Sequence, residues 1–147
     1  MTKDKQDYQV IIIGGGPAGI ATSLTLTGRG ISNCIVDAQV EPRMKPGEAI
    51  PPNAKPLLKK LGIMHLVEDV NHIAYYGNKS CWGTDQLVQD EFIQGIYGHG
   101  FLLDRLFFEK QLREHLQSGL NRDENFLAGY RLKKVVSVEN GIETRIE

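Results

Sequence analysis

The residues Gly14-Gly15-Gly16-Pro17-Ala18-Gly19 lie between an unbroken apolar run and a helical stripe, and no other stretch restricts the fold of this chain as tightly. Ahead of them, Tyr8 to Ile13 reads Y-Q-V-I-I-I, the pattern of a parallel strand buried on both faces. Behind them, Pro17 suits the first position of a helix, where a missing N–H costs nothing, and Ile20, Leu24 and Leu26 continue an apolar stripe. Gly28 and Gly30 close this helix with residues that tolerate positive φ. Ser32 to Asp37 (S-N-C-I-V-D) is a second short apolar run, and it ends on a carboxylate. Strand, helix and strand in immediate succession predict a right-handed βαβ crossover and an α/β fold.

The glycines form a G-x-G-x-x-G, and each has its own task. Gly14 makes the tight turn out of the strand, Gly16 lets a pyrophosphate approach the backbone, and Gly19 lets the helix pack on the strand. Pro17 and Ala18 open the helix, whose free N–H groups and positive dipole end suit phosphate. Such a motif means little alone. Here it follows an apolar strand, opens a helix, and is answered by Asp37 at the end of the next strand. A carboxylate there accepts hydrogen bonds from ribose hydroxyls and repels a 2′-phosphate. The pattern predicts a Rossmann-like dinucleotide-binding unit, with a purely structural glycine turn as the alternative. The spacing does not separate FAD from NAD.

Beyond Asp37 the chain holds five of its six prolines between Ala38 and Pro56, which predicts a long structured connection. Leu57 to Leu61 reads as a helix stopped by Gly62, residues 63–70 as another turn or two, and His72 to Tyr76 as a strand. A turn is expected at Gly77-Asn78, ahead of Cys81 to Gly83. Arg105 to Gln117 is a helix with Asp104 as its N-cap, Phe108, Leu112 and Leu116 on one face, and Gly119 as its stop. Leu132 to Ile146 alternates around Asn140-Gly141, the pattern of a C-terminal β-hairpin with a type I′ turn.

With 147 residues, 41% of them hydrophobic, and a net charge of -1, the chain has the size for one core and no field that would draw it to nucleic acid or an anionic membrane. A small-molecule substrate is the expected partner. Met1 to Tyr8 is polar and the following apolar run is broken by the glycines, so neither a signal peptide nor a membrane span is read and a cytoplasmic location is expected. Cys34 and Cys81 suggest no metal ribbon or disulfide framework, and Cys34 reads as a small buried hydrophobe. His65, His72, His99 and His115 lack metal-ligand spacing, so no metal is expected, although His99 between two glycines is a minor candidate for a cofactor contact. Trp82, Tyr75 and Tyr76 read as core aromatics before substrate contacts, and Lys55, Lys59 and Lys60 as a solvated helix face. Ser23 and Ser80 lack a nucleophile setting.

Three blocks together resemble the superfamily of FAD-dependent monooxygenases and flavin-dependent halogenases along nearly the whole chain. The first is G-G-G-P-A-G with Asp37. The second is Pro42-Arg43-Met44-Lys45-Pro46-Gly47-Glu48-Ala49-Ile50-Pro51-Pro52, similar to an arginine followed by G-E-S/A-x-x-P, and then Leu57 to Gly62, similar to L-x-x-L-G. The third is Gly98 to Arg105 with Phe108 and Leu112, similar to G-x-x-L-D-R-x-x-F-x-x-x-L.

The resemblance implies an FAD/NAD(P)-binding domain of glutathione reductase type. Residues 1–147 would form the N-terminal portion of that domain, with about 70–100 belonging to a substrate-side sheet. It implies FAD as cofactor, NAD(P)H as reductant of the complete enzyme, and Asp37 on the adenosine ribose in place of the usual glutamate. It also implies Arg43 along the flavin nucleotide and Arg105 near its phosphate and ribitol, as a planar guanidinium suits phosphate oxygens. Arg43 as a surface charge and Arg105 as a first-turn helix residue remain open alternatives. Because Glu147 precedes the family's G-D motif, the expectation is an incomplete enzyme that self-associates or lacks a C-terminal portion. The competing class is a non-catalytic dinucleotide-binding module or assembly factor. A disulfide reductase or amine oxidase ranks lower, since disulfide reductases carry a cysteine pair soon after the second strand.

Overall fold

The structure is a computed structural model that describes residues 7–92, 94–119 and 125–147; residues 1–6 of the polar opening stretch lie outside the described residues. In chain order it runs β1 (Val10–Ile13), α1 (Pro17–Thr27), β2 (Asn33–Asp37), β3 (Ala49–Ile50), a 3₁₀ turn (Pro52–Ala54), α2 (Lys55–Lys60) and α3 (Met64–Val67). It continues through β4 (Ile73–Tyr75), β5 (Gly77–Ser80), β6 (Val88–Glu91), β7 (Gly100–Leu102), α4 (Arg105–Ser118), β8 (Phe126–Ala128), β9 (Leu132–Val138) and β10 (Gly141–Ile146). The chain divides into two units, one made of Met1–Pro42 with Leu112–Glu147 and the other of Arg43–Gln111, so α4 begins in the second and ends in the first.

In the first unit β1 pairs in parallel with β2 from Val10↔Asn33 to Ile13↔Val36, and β2 pairs in parallel with β8 from Ile35↔Phe126 to Asp37↔Ala128. As the middle strand, β2 has no solvent face over Asn33 to Val36, and all four residues are buried. That is why an uninterrupted apolar run, and not alternation, marks it in the sequence. Among the described residues, Ile20 of α1, Cys34, Ile35, Val36, Leu112, Leu116 and Phe126 make up this unit's core. Each fully buried aliphatic side chain contributes roughly 1.5–3 kcal/mol before entropy is counted.

One polar pair sits inside that core. Ser23 Oγ donates to Asn33 Oδ1 at 2.6 Å, while Asn33 Nδ2 donates to Thr27 Oγ1 at 3.1 Å and to the Ile31 carbonyl at 3.0 Å. The pair ties α1 to the start of β2 and satisfies groups that burial would otherwise penalise. Burial also pushes the Cys34 thiol above its ordinary pKa, whereas Cys81 is exposed, and neither cysteine forms a disulfide.

Several expected details change. Gly28 is right-handed helical at φ -62°, so only Gly30, at φ +73°, uses the conformation that glycine favours. β9 and β10 pair antiparallel, but Val138 faces Gly141 across Glu139-Asn140, and no described non-glycine residue has positive φ. A type I′ turn is therefore excluded, since it needs positive φ at both central residues.

In the second unit β7 is the middle strand, antiparallel to both β3 and β4, and β5 pairs with β6 as a separate ribbon. Gly77 and Asn78, expected in a turn, stand in β5 opposite Glu91 and Asp90. A Cβ on Gly77 would come 2.5 Å from the Asp90 carbonyl oxygen, so this glycine answers a close strand approach and not a turn. Leu58, Ile63, Leu66, Val67, Phe101, Leu103 and Phe108 form the core here. Trp82 departs from its expected core place: it is 88% exposed on the connection between β5 and β6. Lys55 is not simply solvated, because its ammonium donates to the Tyr97 carbonyl at 2.8 Å and lies 5.2 Å from the centre of the Phe101 ring. Asp104 caps α4 as expected, accepting the Phe107 N–H at 3.0 Å. Among the described residues no helix is long and apolar enough to cross a membrane.

Candidate functional site

The glycine segment turns out of β1 as its spacing requires. Gly14 adopts φ +108°, a conformation costly to any residue with a side chain, while its N–H donates to the Val36 carbonyl at 2.8 Å and holds the turn against β2. A Cβ on Gly19 would overlap the Gly14 carbonyl oxygen and touch Ile12, so α1 rests directly on the strand's exit. Gly16 is different, since a Cβ built there meets nothing within 4 Å. It is the N-cap of the eleven-residue α1, no side chain caps the helix, and no acid stands in its first turn. The first-turn amides beside Pro17 and Ala18 are thus left for an external acceptor, with space in front of them. This arrangement fits the pyrophosphate of a dinucleotide.

Asp37 ends β2 beside the cradle and is half-buried. Its Oδ2 accepts from Nη2 of Arg113 at 2.5 Å and its Oδ1 accepts the Gln39 N–H at 3.1 Å. A Cβ on Gly15 would come 2.6 Å from both Asp37 Oδ2 and the Phe126 ring. The middle glycine, which the spacing rule leaves unassigned, is therefore needed to let the loop lie against the carboxylate. Nothing in the sequence marks Arg113 as part of a site. Its position on the rear half of an amphipathic helix carries no mark there, and only the fold brings it to Asp37.

The two candidate arginines belong to the other unit. Arg43 is exposed. Arg105, at the start of α4, is largely buried in a charge network: its guanidinium pairs with Glu48 through Nη1 and with Glu109 through Nε at 2.6 Å, and both oxygens of Glu109 accept from Lys45 at 3.0 Å. Burial works against the charge of Arg105, but the hydrogen bonds and charges of Glu48 and Glu109 outweigh it and raise its pKa above the ordinary value. His99 packs between the rings of Tyr76 and Phe101, at 5.5 and 5.1 Å between centroids. His72 accepts the Asp104 N–H on Nδ1 at 3.1 Å and so serves the entry to α4.

A family model described as "FAD binding domain" matches residues 7–118. The chain belongs to this FAD-binding family. The chain is 31% identical over 122 residues to a 1H-pyrrole-2-carbonyl-(peptidyl-carrier protein) chlorinase of Pseudomonas fluorescens, a match covering 82% of this chain and 26% of the relative. The fold is similar to that of the myxobacterial chondrochloren halogenase CndH, with a TM-score of 0.79 at 19% identity over 95% of this chain and 32% of that one. It is also similar to p-nitrophenol 4-monooxygenase PnpA from Pseudomonas putida, with a TM-score of 0.68 at 17% identity over 93% of this chain and 38% of that one. The chain thus spans between about a quarter and two-fifths of the length of these relatives.

Proposed function

We propose that this chain is the FAD-binding part of a flavin-dependent oxidoreductase of the monooxygenase or halogenase type. The complete enzyme would use O₂ and NAD(P)H on a small-molecule or carrier-bound substrate in the cytoplasm. The observation that carries the reading is the open space in front of Gly16, at an uncapped helix N-terminus, with Asp37 closing the next strand. The parallel order β1-β2-β8 around α1 supports a Rossmann-like domain of glutathione reductase type.

When bound, FAD supplies the redox chemistry. The protein's share is to hold it. The backbone at Gly14, Gly16, Pro17, Ala18 and Gly19 would cradle the pyrophosphate, and Asp37 would accept the ribose hydroxyls. Arg43 and Arg105 are proposed along the flavin nucleotide, where Glu48 and Glu109 would keep the Arg105 guanidinium in one orientation.

Titration of the full chain with FAD and with riboflavin, which lacks the adenosine, tests the assignment of Asp37. Asp37→Ala is expected to weaken FAD by about a hundredfold, two hydrogen bonds to a charged group at about tenfold each, and to leave riboflavin unchanged. Equal weakening of both ligands would make Asp37 a residue of stability and not of recognition.

Ile13, Val135, Val138 and Ile142 stay exposed around an open groove of about 830 Å³ between β1 and the β9–β10 hairpin. This apolar surface supports self-association of the chain. Light scattering at micromolar concentration is expected to give a mass above that of a monomer; a monodisperse monomer would refute it.

A further inference from the structure

We propose that Arg113 is the positioning residue of the adenosine-ribose site, a role that rests on the FAD reading above. A free carboxylate at the end of β2 would rotate and swing with the loop that follows it. Arg113 prevents both. Its Nη2 holds Asp37 Oδ2 at 2.5 Å, and its Nη1 donates to the Val40 carbonyl at 3.1 Å and more weakly to that of Gln39 at 3.4 Å. The loop in turn sends the Gln39 N–H back to Asp37 Oδ1 at 3.1 Å. The guanidinium lies 5.1 Å from the centre of the Phe126 ring, and the residue is only 8% exposed, so its own orientation is set by packing. Its Nε is buried without a hydrogen-bond partner among the described residues, a cost consistent with a guanidinium held in place for Asp37 and the loop carbonyls.

The count of lone pairs makes the arrangement specific. An ionised carboxylate offers four acceptor sites, two on each oxygen. Among the described residues, Arg113 takes one on Oδ2 and Gln39 takes one on Oδ1, which leaves one on each oxygen. That remainder matches the two hydroxyls of a ribose cis-diol. Arg113 therefore presents Asp37 to the ribose instead of consuming it.

The test compares ADP with 2′-deoxy-ADP by calorimetry on the full chain, in the parent, Arg113→Met, Arg113→Lys and Asp37→Ala. The parent is expected to prefer ADP by about tenfold, the loss of one hydrogen bond to a charged group. Arg113→Met, which keeps the apolar stem, is expected to bring that ratio close to one, and Arg113→Lys, which keeps a cation beside Asp37, to restore part of it. A purely structural arginine would weaken both nucleotides together and leave the ratio at the parent's value, and that result in Arg113→Met overturns the proposal. If Arg113→Met does not fold, Arg113→Lys decides, because an undiminished ratio there removes any need for the fork on Asp37 and the loop carbonyls. A parent that binds both nucleotides equally, or an Asp37→Ala variant that keeps the preference, would instead overturn the ribose assignment of Asp37 itself.

Discussion

Gly16→Val is expected to weaken FAD binding by at least about a hundredfold, near 2.7 kcal/mol, while the protein loses only about 1 kcal/mol of stability. The two effects separate because of where the side chain goes. Gly16 sits at φ -80° and ψ -177°, extended backbone that a β-branched residue adopts readily, and its Cβ would touch nothing in the protein. The fold has no reason to object beyond the poorer N-cap that valine makes. The same space is the approach to the first-turn amides of α1, so two methyl groups there hold an anion away from charge-assisted hydrogen bonds. Valine at Gly19 is no substitute for this experiment, since it would collide with the Gly14 backbone and disturb binding by disturbing the fold. Flavin absorbance after desalting, together with a urea unfolding curve, reads both quantities. Undiminished flavin binding by Gly16→Val would move the pyrophosphate elsewhere.

Arg105→Met is expected to cost about 3 kcal/mol of stability, because it strips one partner from a buried ion-pair network. Glu109 has a side chain only 3% exposed, and in the parent it is matched by Arg105 at 2.6 Å and by Lys45 at 3.0 Å. Without the guanidinium, Lys45 is the one cation left beside it among the described residues, and that lysine is itself more than a third exposed and easily hydrated. Glu48, on the solvent side, loses its partner at little cost. The lowering should show as a fall in melting temperature of about 10 °C for a chain of this size. Stability equal to the parent's would mean that the network contributes nothing net and that Arg105 is kept for another reason.

The elements of the first unit were legible from local rules. An apolar run without alternation marks β2 because both of its faces are covered, and Pro17 and the glycines mark α1 because backbone geometry alone demands them. Asp104 as a cap was legible for the same reason, since a cap acts within one turn. Local rules misplace residues whose role depends on a distant partner. Gly77 reads as a turn in sequence, yet it is a strand glycine because Asp90 passes close by. Trp82 reads as core because it is large and apolar, yet its neighbours leave it exposed.

The strand–glycine–helix–strand unit and the carboxylate that ends it follow from the local order of residues, because turn conformation, helix start and apolar periodicity are set within a few positions. The partners of the charged groups, in contrast, are set by packing across the fold. Arg113 reaches Asp37 across 76 positions of chain and Lys45 reaches Glu109 across 64, and no local pattern records such pairings. Nor could spacing show that Gly15 is required by the Asp37 carboxylate beneath it, since that contact exists only once β1, β2 and β8 lie side by side. Ion pairs and close approaches depend on distance in space, and the order of residues fixes that distance only after the core has formed.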